Sequence, residues 1–172
     1  MNLVLVGYRG TGKSAIARRL AVLLDRPVVS LDQEIVNLAS APIPDIVAVH
    51  GWTHFRDLEE QVCREVAAKD GIVIDCGGGV VEREANFTSL RACGKVYWLR
   101  ATPTTIISRI GGDGSRPSLT GTKTFTEEIE EVLGRRTSLY ERLAHEVVDT
   151  DGRNLDDLAG IIARRFRAAN GQ

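Results

Sequence analysis

Leu3-Val4-Leu5-Val6-Gly7-Tyr8-Arg9-Gly10-Thr11-Gly12-Lys13-Ser14 joins a short apolar run to the pattern G-x-x-x-x-G-K-S, and Ala15-Ile16-Ala17-Arg18-Arg19-Leu20 follows with helical spacing. The order reads as buried strand, loop, helix. A chain of phosphates needs many N–H donors at close range. Gly7, Gly10 and Gly12 let the backbone curl into a tight loop whose N–H groups point inward with no Cβ in the way. A helix starting near Lys13 adds the positive end of its dipole to the same spot. Lys13 then reaches the β- and γ-phosphates, and the Ser14 hydroxyl can ligate Mg²⁺. The residues Gly10, Thr11, Gly12, Lys13, Ser14 and Ala15 are therefore the expected cradle of a nucleoside triphosphate. A glycine-rich turn that merely happens to precede a lysine would not need the strand before it and the helix after it.

Composition narrows the rest. At 172 residues the chain suits one domain, able to bury roughly 70% of its unfolded surface. A formal net charge of −1 supplies no basic field for nucleic acid or an anionic membrane. No apolar stretch approaches the ~20 residues that span a bilayer. The first strand is expected within three residues of Met1, which leaves no room for a targeting peptide. Three cysteines, Cys63, Cys76 and Cys93, are odd in number and form no C-x-x-C pair. They argue for free thiols in a reducing cytoplasm and against a disulfide framework or zinc site. A monomer is expected.

Apolar runs recur at Leu3–Val6, Pro27–Val29, Ile72–Ile74, Val96–Leu99 and Val147–Val148. Segments of helical periodicity separate them, with Ile16, Leu20, Leu23 and Leu24 assigned to one face and Leu155, Leu158, Ile162 and Phe166 to another. Such alternation predicts an α/β fold with a parallel sheet covered on both sides. Two stretches depart from it. Residues 32–70 carry only helical patterns, broken at Pro42 and Pro44, and residues 111–123 are rich in Gly, Ser and Thr around Arg116-Pro117. A substrate-binding insert and a moving lid are the expected readings, the lid hinging on Gly111, Gly112, Gly114 and Gly121.

Three constellations bear on chemistry. Asp32 follows the second strand, at the carboxyl edge where open α/β sheets bind ligands, although aspartate is also a good helix N-cap. Arg56 and Glu59 stand three apart on one helical face; alone, that spacing is an ordinary surface pair. Gly77-Gly78-Gly79 follow the strand Ile72-Val73-Ile74-Asp75, and three glycines in a row suit close approach of backbone to a small ligand.

Together these residues resemble the shikimate kinase family. GYRGTGKS at 7–14, Leu31-Asp32-Gln33-Glu34, Phe55-Arg56-Asp57-Leu58-Glu59, the triple glycine, Arg116-Pro117, and Arg136 with Leu139-Tyr140 match it in identity, order and spacing over nearly the whole chain. The resemblance implies a three-layer P-loop kinase fold, with a five-stranded parallel sheet in order 2-3-1-4-5, and transfer of the ATP γ-phosphate to the 3-hydroxyl of shikimate with Mg²⁺. It implies catalytic roles for Lys13, Asp32 and Arg116, and shikimate contacts at Asp32, Arg56, Gly77, Gly78, Gly79 and Arg136, with Arg135 as a rival for the last. It sets Arg109 and Arg153 on either side of the adenine. The family usually has an aspartate that serves the metal where this chain has Ser30. Asp75, ending a hydrophobic strand, is expected to take that role beside Ser14. A kinase of another hydroxylated acid such as gluconate, a nucleoside monophosphate kinase, and a non-catalytic nucleotide-binding relative are the rival readings.

Overall fold

Leu3, Val4, Leu5 and Val6 have no exposed surface at all. A strand buried on both faces belongs in the middle of a covered parallel sheet, and β1 (Asn2–Val6) lies there in the computed structural model, which describes residues 1–111 and 124–171. The remaining elements are α1 (Lys13–Leu24), β2 (Val28–Ser30), α2 (Leu31–Ala39), α3 (Ile43–Ala67), β3 (Val73–Asp75), α4 (Glu84–Cys93), β4 (Gly94–Arg100), α5 (Pro103–Ile110), α6 (Phe125–Leu143), β5 (Glu146–Asp149) and α7 (Leu155–Ala169). A 3₁₀ turn, Val80–Glu82, links β3 to α4. All strand pairs are parallel and the order is β2-β3-β1-β4-β5, as expected.

Alternation along the strands divides the core into two layers. Val4, Val6, Ile74, Val96 and Trp98 pack with residues of α2, α3, α4 and α6. Leu3, Leu5, Val73, Tyr97 and Leu99 face α1 and α7. On α7, Leu158, Ile162 and Phe166 are buried and Leu155 partly so, which matches the expected stripe. On α1 the stripe is narrower than expected. Leu23 is 43% exposed, and the partly buried Leu24 takes the inward place beyond Leu20.

Two local devices shape the site. Ser30 is the N-cap of α2, its hydroxyl accepting from the Gln33 N–H at 3.4 Å, so Asp32 sits in the first turn instead of capping it. In α3, Pro42 precedes the helix and Pro44 lies in its first turn, while Gly51 (φ 80°, ψ 171°) breaks the helical path and sets its two arms apart. The expected lid, with Gly112, Gly114, Arg116 and Gly121, lies outside the described residues. No described helix is long and apolar enough to cross a membrane.

Phe166 is 1% exposed between α1 and the sheet. Replacing it with Ala should cost about 3–5 kcal/mol in chemical denaturation, the usual range for emptying a buried aromatic site. Nucleotide affinity of the folded fraction should stay close to wild type.

Candidate active site

The end of β1 and the start of α1 meet in a loop that only glycine can trace: Gly7, Gly10 and Gly12 have φ of 146°, 80° and 91°. At Gly7 a Cβ would also stand 2.4 Å from the Leu99 carbonyl oxygen. Inside the loop, the Tyr8 carbonyl accepts from the Thr11 hydroxyl at 2.8 Å and from the Lys13 ammonium at 2.9 Å. With glycine as the N-cap, no capping side chain covers the first N–H groups of α1. Gly10, Gly12, Lys13, Ser14 and Ala15 line a cleft of about 630 Å³ that also takes in Ser30, Asp32, Asp75 and Arg109. Thr11 is buried behind it. From α5, the Arg109 guanidinium donates to the Gly10 carbonyl at 3.2 Å and to the Thr150 carbonyl at 2.9 Å, tying the loop to the segment after β5. Arg153 is exposed and lines a separate depression along α7. Ser30 and Asp75 are register partners on β2 and β3, and Asp75 also pairs with Leu5 of β1.

A second, tighter cavity adjoins this cleft. Asp32, Arg56, Gly77, Gly78, Gly79 and Arg136 all line it, joined by Tyr8, Trp52, Phe55 and Glu59. Asp32, Gly77 and Gly78 belong to both cavities. Of the two neighbouring arginines, Arg136 is the inward one, its side chain 3% exposed against 57% for Arg135.

Arg56 and Glu59 are no surface pair. The Arg56 guanidinium donates to Glu59 at 2.6 Å with both side chains buried. Burial pushes the Glu59 carboxyl up, and the nearby Arg56 charge offsets this only in part. A second carboxylate, Glu82, accepts from Arg56 Nε at 3.1 Å, Arg136 Nε at 2.8 Å and Arg135 at 3.1 Å. Burial alone would raise Glu82, but Arg136 and then Arg56 outweigh it and hold its carboxyl below the ordinary value. Two of the three glycines answer to these side chains. A Cβ on Gly79 would lie 2.1 Å from the Arg56 guanidinium, and one on Gly77 would lie 2.6 Å from an Asp32 carboxylate oxygen. The buried Tyr140 hydroxyl donates to the Gly78 carbonyl, fixing the glycine loop to α6.

Glu82 and Trp52 lie outside the motifs legible in the sequence, whereas Tyr8, in the phosphate loop, is legible there as a residue that bears on the shape of the substrate pocket. Glu82 lies 26 residues from Arg56 and 54 from Arg136, so no spacing rule links them. Trp52 is an aromatic residue shortly before Phe55-Arg56, and that proximity is its available signal.

A phosphate cradle that opens past a shared carboxylate onto two buried arginines defines a P-loop phosphotransferase with a pocket for a small anionic acceptor. Comparison makes the class specific. The shikimate kinase family model matches residues 9–166. A shikimate kinase of Desulforudis audaxviator is 40% identical, the match covering 94% of this chain and 84% of that protein. One from Rhodopirellula baltica is 37% identical over 99% of this chain and 93% of its own length. Among solved structures, a shikimate kinase from Acinetobacter baumannii in complex with shikimate superposes with a TM-score of 0.93 at 30% identity, covering 99% of this chain and 95% of that one. A deoxyadenosine kinase from M. mycoides, at 15% identity and TM-score 0.64, shares the fold. The chain belongs to the shikimate kinase family, ATP-dependent enzymes that phosphorylate shikimate on the way to aromatic amino acids.

Two expectations follow from the geometry. Gly79→Ala drives a methyl into the Arg56 guanidinium and should weaken shikimate binding by about tenfold or more, while ATP affinity, read by calorimetry, stays near wild type. The second concerns pH. Because the folded Glu82 carboxyl titrates below its unfolded value, the stability it contributes is full above the unfolded pKa and is lost as pH falls through the folded one. The stability gap between wild type and Glu82→Gln, followed by urea denaturation, should therefore narrow on acidification.

Proposed function

We propose that the γ-phosphoryl group of ATP passes to the 3-hydroxyl of shikimate, with Asp32 as the base and Lys13 and Arg116 as stabilisers of charge. The observation that carries this reading is that Asp32 lines both the phosphate cleft and the arginine-floored cavity. A carboxylate at that boundary can hold an acceptor hydroxyl and remove its proton while the hydroxyl oxygen attacks. As the new O–P bond forms, the bond from the γ-phosphorus to the bridging oxygen breaks and its electron pair leaves with ADP. The proton goes to Asp32.

Arg56 and Arg136 take the shikimate carboxylate, since a planar guanidinium fork matches it in shape and charge. The backbone at Gly77, Gly78 and Gly79 forms the adjoining wall. Lys13 exchanges its bond to the Tyr8 carbonyl for the phosphates; Arg116, the second stabiliser of charge in this reading, lies outside the described residues. Arg109, beside the phosphate loop, backs the nucleotide base; Arg153 reaches it only by crossing from its exposed position.

Mg²⁺, when bound, supplies positive charge against the β- and γ-phosphate oxygens. The residues suit it: the Ser14 hydroxyl and the Asp75 carboxylate are hard oxygen donors in one cleft. The Ser30 hydroxyl opposite Asp75 is already engaged as the α2 cap. Asp75 thus carries the acidic function for the metal's water shell that Ser30 lacks. A reducing cytoplasm and a monomeric state complete the proposal.

Side-by-side assay of shikimate, gluconate and AMP as acceptors tests the acceptor assignment, and turnover of gluconate or AMP in preference to shikimate would overturn it. Lys13→Ala should lower kcat by on the order of 10²-fold or more, the scale of losing one electrostatic stabiliser. Asp75→Ser should weaken the Mg²⁺ dependence of nucleotide affinity in calorimetric titration, and adding Ser30→Asp should restore much of it. A double variant no better than the single one would remove Asp75 from the metal's surroundings.

A further inference from the structure

We propose that Glu82 is a positioning residue for substrate recognition: it stands behind Arg56 and Arg136 and holds the two guanidinium groups together as one carboxylate receptor. The inference rests on the assignment of these arginines to the shikimate carboxylate.

The two arginines come from different places. Arg56 is on α3 and Arg136 on α6, and their contacts run through Glu82. One Glu82 oxygen accepts from Arg136 Nε at 2.8 Å and lies 2.7 Å from a terminal nitrogen of the same group; the other accepts from Arg56 Nε at 3.1 Å. Two rotatable cationic side chains are thereby fixed by one anion through charge-assisted bonds. Arg136 is 3% exposed in its side chain and Arg56 10%, against 25% for Glu82, so both bonds are partly shielded from water and pairing counts for more than on an open surface.

The anchor itself is well held. Glu82 ends the 3₁₀ turn after the triple glycine, where its N–H donates to the Gly79 carbonyl at 2.9 Å. Asn86 donates to the Val80 carbonyl at 2.9 Å in the same turn. Val80 and Val81 of the turn are buried in the core layer beneath it, and α3 and α6 each bring one arginine to it.

Glu82 approaches from the side away from the substrate. The cavity that holds Asp32 and the triple glycine is lined by Arg56 and Arg136 but not by Glu82. Glu82 lines a shallower depression on the outer side, with the same two arginines, Arg83 and Arg135. Glu59 and Glu82 balance Arg56 and Arg136 in formal charge, and Arg135 adds a third positive charge on the outer side. A residue competing for the substrate's place would have to line the inner cavity.

The test compares wild type with Glu82→Gln, which keeps volume and removes charge, and with Glu82→Asp, which is one methylene too short to span both arginines. Each is assayed with shikimate and with shikimate methyl ester, which presents no carboxylate. The expected result is a shikimate KM and Kd raised about tenfold, the scale of one charge-assisted bond to a positioned group, with kcat and the KM for ATP within about twofold. The difference between variants and wild type should close for the ester. Unchanged or tighter shikimate binding would overturn the inference, as would an equal penalty on the ester. Failure of both variants to fold, read by circular dichroism, would also overturn it by making Glu82 a structural residue. Wild type that leaves shikimate unphosphorylated would instead sink the acceptor assignment on which the inference rests.

Discussion

The site depends on β1 and β3 lying side by side in one register. Leu3 pairs with Val73, Val4 with Ile74 and Leu5 with Asp75, and the Cys76 N–H continues the ladder to the Leu5 carbonyl at 3.1 Å. Two glycine-rich turns therefore leave the sheet at the same level, one to wrap phosphates and one to wall the acceptor cavity. A slip of one residue would turn Leu3 and Leu5 toward the layer that Val4 and Val6 now fill, and every inward side chain would change sides. The hydrophobic division of the core thus sets the relative height of donor and acceptor. Precision at the chemistry is inherited from packing far below it.

Charge in the acceptor cavity is managed by burial and pairing together. Glu59 is fully buried and has one oxygen on Arg56; its other oxygen has no hydrogen-bond partner among the described residues. Such an arrangement is poor evidence for stability, because desolvating both ions offsets much of their attraction. Its value is geometric. Arg56 is held from one side by Glu59 and from another by Glu82, and Gly79 gives it room that no other residue would leave. The same crowding accounts for Gly77 beside Asp32. Gly77 and Gly79, which the sequence suggests for close approach to a ligand, are required first by the side chains of Asp32 and Arg56.

Legibility in the sequence followed the range of the interactions. The phosphate loop is local, built from eight consecutive residues with a strand before and a helix after, and its strand–loop–helix form was legible there. Strand positions were plain because fully buried parallel strands are nearly continuous apolar runs. The acceptor side depends on contacts between distant segments. Arg56 and Glu59 have the same i, i+3 spacing on a wet surface as in a core, so their burial could not be inferred from it. Glu82 carried no signal, since its partners lie on two helices far along the chain. Leu23 was assigned inward by periodicity near a helix end, where the chain turns away through Asp25 in a left-handed conformation (φ 51°). Tertiary context decided all three.

The break at Gly51 has a consequence for how an enzyme of this kind diversifies. An unbroken helix of α3's 25 residues would be a rod of roughly 38 Å, and any change at one end would be levered to the other. Instead the arm after Gly51, with Phe55, Arg56 and Glu59, is bolted to the core through Val62, Cys63 and Val66. The arm before it offers Ile43 and Pro44 to the cavity wall. Substitutions at Ile43 and Pro44 change one part of the cavity wall while the arm that bears Arg56 keeps its own packing. The cavity wall thus draws on both arms, Ile43 and Pro44 before the break and Trp52 and Phe55 after it, while Arg56 and Glu59 belong to the second arm alone.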